Sequence, residues 1–451
     1  MVNQSASNPT EPVTEYRCPG EDRPISRAVH LGRLARFYPA CRQCPFREDT
    51  GSLSPRHVRR LAETRHRAER HSPLFDEGAA GVYLNELGPD EVRRMAAALG
   101  VLLRTDAETS VAFRSAKEAV SHASSPVAPP DHATFAERKA TVVVIAGDGR
   151  PLAAELVAAA AEGLRWAGCG VVDVGQATSP CVASAIARLE AAGGVLVGNP
   201  SARPEIVGLK FWGREARPLS AGGPLERLRR LFEAGIDRPA RRFGPLRRWQ
   251  AQGPYLADLS GYYHALRPLR LVLRGACPPA LGYLEKLTAE VACEVVPCPA
   301  PADRLREEVR RRGAHLGVIL GDDGETAGVV DELGRRVGHE RLLVLVAGHL
   351  LAERPGGVVV LEEAASPGVA GQIAALGARV ETSECSRAAM DRAMRRHEAL
   401  LGGGPSGRTW HRVGEGPPLP DGLRTISLLL RILSRSDRGL SVVLDGAGGG
   451  D

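Results

Sequence analysis

Three cysteines near the N-terminus, Cys18, Cys41 and Cys44, form the pattern C-x22-C-x2-C. A CxxC pair is half of a common zinc site because thiolates suit Zn²⁺, and His30 or His57 could supply the fourth ligand. Such a site would brace a short segment that cannot bury a core of its own. The competing reading is free cysteines packed as small hydrophobes. A redox role for the pair lacks a thioredoxin-like βαβ context. The other six cysteines are scattered and the total of nine is odd, so no disulfide framework is expected. Twelve histidines prompt a search for a Ser-His-Asp constellation, but no G-x-S-x-G elbow exists. The acidic turn GDDGE (321–325) is not a P-loop, because G-x4-G-K-[ST] occurs nowhere in the chain.

The elements that would position these residues alternate between apolar strands and amphipathic helices. Residues 1–52 are polar and proline-rich, and read as a small Cys-containing extension. Ser54 and Pro55 open a helix over 53–71 as cap and first helical residue. FDEGAAGVY (75–83) reads as a glycine-punctuated loop, and LGPDEVRRMAAALGVLLR (87–104) as a helix opened by Pro89 and Asp90. The stretch 121–139 reads as a surface loop. Strands at 140–148, 169–175 and 195–198 alternate with helices at 149–168 and 178–194, the pattern of βαβ units. Residues 236–252 carry two prolines and no clear period, and read as a linker. The α/β pattern returns with 269–275, 279–292, 293–297 and 316–320. It appears again after residue 340, with 357–363, 367–377 and a closing amphipathic helix over 423–436. The fold class is α/β, in domains spanning 53–235, 253–339 and 340–451.

Composition agrees with this reading. A chain of 451 residues has room for about three domains. It is 43% apolar, 25% charged and 4% aromatic, which excludes disorder throughout. No run approaches the ~18 apolar residues of a membrane helix. The polar start MVNQSASNPTEP is no signal peptide, so a cytoplasmic protein without membrane partners is expected. Arg and Lys exceed Asp and Glu by 59 − 53 = 6, and only four of the 59 are lysine. The arginine-rich stretches 56–71 and 304–312 interleave acids at helical spacing, the mark of a solvated face. A nucleic-acid partner is not expected.

Four segments, in this order, resemble the α-D-phosphohexomutase superfamily of phosphoglucomutases and phosphomannomutases. They are FDEGAAGVYLNELGPDEVRRMAAALG (75–100), the run from VVVIAGDGRP (142–151) to GLKFWGREARPL (208–219), LGVILGDDGETAGVVDELGRRV (316–337), and ALLGGGPSGRTWH (399–411) with DGLRTISLLLRIL (421–433). The likeness runs from residue 75 to about 445 and implies three consecutive phosphohexomutase-type α/β domains. It further implies conversion of a hexose 1-phosphate to the 6-phosphate through a phosphoserine. Three aspartates would hold Mg²⁺, a loop would read the sugar hydroxyls, and a fourth domain would grip the second phosphate. Phosphoryl transfer depends chiefly on such positioning and charge neutralisation.

This chain departs from the family pattern at each part. Pro200 falls on the phosphoserine position, and only a one-residue slip would present Ser201 as nucleophile. Lys210 and Arg150 are retained, whereas the arginine of the opening loop is Ala80. The metal positions carry Gly321, Asp323 and Glu325, with Asp322 adjacent as a substitute, and the arginine that follows them is Thr326. Mg²⁺ is therefore expected to bind weakly or not at all. In the sugar loop Gly404 replaces the carboxylate and Arg408 a histidine, although Ser406 and Arg408 could still hold an anion. No fourth domain is expected after the last helix. The expectation is a catalytically impaired member that binds a hexose phosphate or serves a partner protein, with self-association in view. The alternative is an active mutase with a rearranged site built on Ser201, Asp322, Asp323 and Glu325.

Overall fold

The computed structural model describes residues 16–18, 22–36, 38–42, 44–68, 74–121, 141–198, 205–221, 223–236, 238–275, 277–299 and 304–448. They divide into two compact units, residues 1–73 with 81–88, and residues 74–80 with 89–451. The first unit is larger than the expected extension, because the helix Pro55–Ala68 packs with the helix Arg27–Ala35. Ser26 caps the earlier helix, its hydroxyl accepting from the Val29 N–H at 3.3 Å. The Ser54 hydroxyl accepts from the His57 N–H at 3.4 Å, as a capping residue there should. Tyr16 stacks on His30, with ring centroids 4.3 Å apart, and meets Phe46 edge-on.

The strands form three sheets, each with a parallel centre and antiparallel strands at one side. The first sheet contains β1 (Leu74–Phe75), β2 (Gly78–Val82), β3 (Val142–Gly147), β4 (Gly170–Gln176), β5 (Gly193–Gly198), β6 (Ile206–Trp212) and β7 (Leu246–Arg248). Its order is β1-β2-β6-β5-β3-β4-β7, with β4, β3 and β5 parallel and β6 antiparallel to β5. Two readings change here. The stretch 75–83, expected as a loop, forms the β1–β2 hairpin. The expected linker 236–252 adds β7 alongside β4, in parallel. The hairpin was hidden by small residues, since Gly78 and Ala79 are buried against strand backbone rather than through large side chains. In particular, a Cβ on Gly78 would lie 2.2 Å from the Leu209 carbonyl oxygen. β7 is exposed at all three residues and so carries no apolar period to read.

The second sheet comprises β8 (Leu269–Gly275), β9 (Cys293–Pro297), β10 (Leu316–Leu320), β11 (Ala327–Asp331) and β12 (Arg336–Val337), in the order β12-β11-β10-β8-β9. The third comprises β13 (Val358–Glu362), β14 (Arg379–Ser383), β15 (Leu401–Gly403), β16 (Thr409–His411) and β17 (Leu419–Pro420), in the order β14-β13-β15-β16-β17. Between these sheets the apolar core is continuous. It takes in Val144 of β3, Leu271 of β8, Val359 of β13 and Leu429 of the closing helix Gly422–Leu433. The helix read over 87–104 runs from Pro89 to Ser121, and the loop expected over 121–139 lies, apart from Ser121, outside the described residues. No helix among the described residues is long and apolar enough to cross a membrane.

Parallel strands β3, β10, β13 and β15 all release their chains at their C-terminal ends, where α/β sheets ordinarily build sites. Those ends carry Asp148–Arg150, residues 321–325, Glu362 and residues 404–408 respectively.

Candidate functional site

The acidic loop 321–325 stands between the first and third sheets. Its shape rests on glycine at two points. Gly324 has φ +83°, and a Cβ there would meet the Thr178 side chain at 2.9 Å. A Cβ on Gly321 would lie 2.2 Å from the Thr326 hydroxyl. Thr178 caps the helix Ser179–Arg188, and the next residue's N–H donates to the Asp323 carbonyl oxygen at 2.8 Å. On the other side the Gly422 N–H donates to the Gly324 carbonyl at 2.9 Å, and Thr326 bridges to Arg408.

Glu325 lies at the centre of this junction, with its side chain only 1% exposed. Its Oε1 accepts from the Ser179 hydroxyl at 2.5 Å and lies 2.9 Å from Lys210 Nζ and 3.2 Å from Arg387 Nε. Its Oε2 accepts from Arg408 Nε at 3.0 Å. Burial by itself would raise the carboxyl pKa. The positive charges of Arg387, Lys210 and Arg408, with the Ser179 hydroxyl, instead hold it well below the usual carboxylate range. Lys210 also pairs with Asp323 Oδ2, while Asp323 Oδ1 accepts the Glu325 N–H at 3.0 Å. All four carboxylate oxygens of Asp323 and Glu325 therefore face donors or cations of the chain itself.

Two of these cations lie on the third sheet and its helices. Arg387 opens the helix Arg387–Arg396 and is fully buried, with its guanidinium 4.9 Å above the Trp212 ring. Its backbone N–H donates to Glu77 Oε1 at 3.2 Å, and Glu77 Oε2 lies 3.8 Å from its Nε. Arg408 follows the turn from β15. The neighbouring Ser406 directs both its N–H (2.9 Å) and its hydroxyl to Glu362 at the end of β13.

The residues expected to act therefore meet different partners. Lys210 does converge with the acidic loop. Arg150 pairs with its neighbour Asp148 at 2.8 Å. Asp322 is half-buried, and burial raises its pKa against the opposing charge of Arg150. Ser406 and Arg408, expected to hold an anion, are instead committed to Glu362 and Glu325. Ser201 lies outside the described residues. Arg387, Glu77 and Ser179 escaped sequence reasoning. An arginine in the first turn of a helix opposes the helix dipole and so signals a nearby carboxylate, but nothing local says which carboxylate.

A divalent cation fits this loop poorly. Mg²⁺ requires near-octahedral oxygen ligands at about 2.1 Å. To provide them Asp323 would have to give up its bond to Lys210, and Glu325 its pairing with Lys210, Arg387 and Arg408. Among the described residues no three of His, Cys, Asp and Glu are grouped to hold a metal ion. The same holds for the cysteines of the first unit. All three are buried, and Arg33 Nη1 donates to Cys18 Sγ at 3.0 Å. Burial, then the neighbouring Cys18 and Cys44, raises the Cys41 thiol to about 11. His30, expected as a zinc ligand, turns Nε2 toward the Asp49 carbonyl oxygen at 3.1 Å, because stacking on Tyr16 fixes its ring there.

Residues 131–227 match the family model described as phosphoglucomutase/phosphomannomutase, alpha/beta/alpha domain I. A Pyrococcus abyssi protein named "Probable phosphoglucosamine mutase" is 26% identical over 309 residues, covering 65% of this chain and 68% of its own. A phosphomannomutase of Salmonella typhimurium is 26% identical over 302 residues, covering 61% and 66%. Among solved structures, a phosphoglucomutase/phosphomannomutase family protein of Burkholderia thailandensis shares the fold with TM-score 0.69 and 23% identity, over 82% of this chain and 78% of that one. In sequence and in fold the chain is similar to the α-D-phosphohexomutase superfamily. Within that superfamily, an Aspergillus fumigatus N-acetylphosphoglucosamine mutase solved with GlcNAc-6P and magnesium has the same fold at TM-score 0.50 and 13% identity. The three sheets described above are phosphohexomutase-type α/β domains, and the acidic loop is the segment that resembles the superfamily's metal loop.

Proposed function

We propose that this phosphohexomutase-like protein is impaired in phosphoryl transfer and works as a hexose-phosphate-binding or partner-binding member of sugar-phosphate metabolism. One observation carries the reading: the carboxylates of Asp323 and Glu325 are neutralised internally by Lys210, Arg387 and Arg408. Phosphoryl transfer depends on positive charge held ready for the migrating group. Here that charge is already paired, and Asp322 and Glu362 add negative charge around it. Pro200 at the phosphoserine position supports the same reading. The retained Lys210 and its convergence with the acidic loop favour the second reading, an active mutase with a rearranged site.

The deciding experiment measures turnover of glucose 1-phosphate, mannose 1-phosphate and glucosamine 1-phosphate, primed with a hexose 1,6-bisphosphate and run beside an active relative. Intact-mass analysis follows any phosphoryl adduct. The expected result is turnover more than about a thousandfold below that of the relative, with no adduct. Comparable turnover, or a phosphoryl group mapped to Ser201, would establish the rearranged mutase instead. If turnover is absent, binding of hexose phosphates by calorimetry and of protein partners or a second copy by light scattering would separate the remaining roles.

A further inference from the structure

The acidic loop poses an electrostatic problem that this chain solves with its own side chains. Glu325 is buried, and Asp323 adjoins it in the same turn. Two such carboxylates repel one another unless a cation stands between them. Lys210 Nζ occupies that place. It pairs with Asp323 Oδ2 and lies 2.9 Å from Glu325 Oε1. Arg387 and Arg408 approach Glu325 from the third sheet at 3.2 and 3.0 Å. The cations come from three separate chain segments, namely β6, the helix Arg387–Arg396 and the β15–β16 turn. A carboxylate that gathers partners from so many places is one the fold has been built around.

We infer that Lys210, Arg387 and Arg408 stand in for a divalent cation at this loop, so that the loop and the junction of the three sheets form without metal. The inference does not rest on the proposed loss of turnover, because a mutase with a lysine in place of its metal would satisfy it equally. Three cations within hydrogen-bond range of one buried carboxylate also make an approaching metal compete with them. Mg²⁺ binds its oxygens only after shedding much of its own water, and it dehydrates reluctantly. The covalently tethered ammonium and guanidinium groups face no such loss of translational freedom.

The test uses the full chain and Mn²⁺ followed by electron paramagnetic resonance, with thermal unfolding in EDTA and in excess Mg²⁺ as a second readout. Wild type is expected to show no saturable Mn²⁺ site and the same Tm in EDTA as in Mg²⁺. Lys210→Met leaves Asp323 and one oxygen of Glu325 without their shared cation. That variant is expected to bind Mn²⁺ at least about tenfold tighter than wild type and to unfold at a higher temperature when Mg²⁺ is present. A wild-type chain that takes up one equivalent of Mn²⁺ and loses it on Glu325→Gln overturns the inference, as does a wild-type Tm that falls in EDTA. A folded Lys210→Met chain as indifferent to Mn²⁺ as wild type overturns it too. If Lys210→Met does not fold, the wild-type arms alone decide. Turnover enters none of these readings, so the inference and the proposed function can fail separately.

Discussion

Replacing Glu325 with glutamine keeps the shape of the side chain and removes its charge, which leaves Lys210, Arg387 and Arg408 crowded around a neutral amide. Breaking a buried ionic cluster from one side typically costs about 3–5 kcal/mol. Glu325→Gln is expected to lose stability of that order in urea unfolding, and Lys210→Met less, because Arg387 and Arg408 remain on Glu325. Equal and small losses would mean that the cluster holds little together. A second residue-scale prediction concerns His411, which is buried with Nε2 2.9 Å from the Thr425 hydroxyl. Burial, with the charge of Arg424 behind it, lowers its pKa to about 3. An imidazole in the unfolded chain titrates near ~6.5. Between these values the unfolded chain takes up a proton that the native chain refuses. The contribution is therefore complete above about pH 6.5 and is lost on acidification toward pH 3, by up to ~1.4 kcal/mol per pH unit. Urea unfolding at pH 7 and pH 5 should show this loss. A His411→Gln chain with an equally steep slope would assign it elsewhere.

At the scale of elements, glycine separates two kinds of helix contact. Gly163 lies where the helix Pro151–Trp166 crosses the helix Pro89–Ser121, and a Cβ there would sit 2.1 Å from the Arg93 carbonyl oxygen. Gly163→Ala must push the helices apart, an overpacking that costs about 1–3 kcal/mol. Gly371, inside the helix Pro367–Ala375, has nothing within 4 Å of its added Cβ. Gly371→Ala should therefore stabilise the chain by about 0.5–1 kcal/mol through helix propensity. Denaturation midpoints moving in opposite directions for the two variants would confirm the crossing. Elements with large apolar side chains were legible in the sequence. The VVVIAG strand, the helix after Pro151 and the closing helix all lie where periodicity placed them. β1, β2 and β7 were not legible. They are short, and they pair through backbone with small or exposed residues that leave no period.

For the molecule as a whole, polar ties as well as apolar core join the sheets. Tyr255, on the helix Gln252–Ser260, donates its hydroxyl to Asp421 Oδ1 and Oδ2 at 3.1 and 3.0 Å, and Asp421 caps the closing helix. Tyr255→Phe leaves that buried carboxylate short of a donor and is expected to cost about 1–3 kcal/mol. A cost within measurement error, read by urea unfolding, would show that Arg424 and the backbone satisfy Asp421 unaided. The α/β class, the three repeated units and the superfamily likeness were determined by sequence alone, because apolar period and motif order are local properties of a chain. Likewise, the resemblance alone, without coordinates, sets Pro200 on the phosphoserine position and Gly321 on a metal position. What became of the remaining charges was decided only by tertiary structure. Lys210 and Glu325 stand 115 positions apart, and Arg387 lies on a third element. Which cation neutralises which carboxylate depends on where three sheets bring their strand ends together, a long-range geometry that no local pattern encodes.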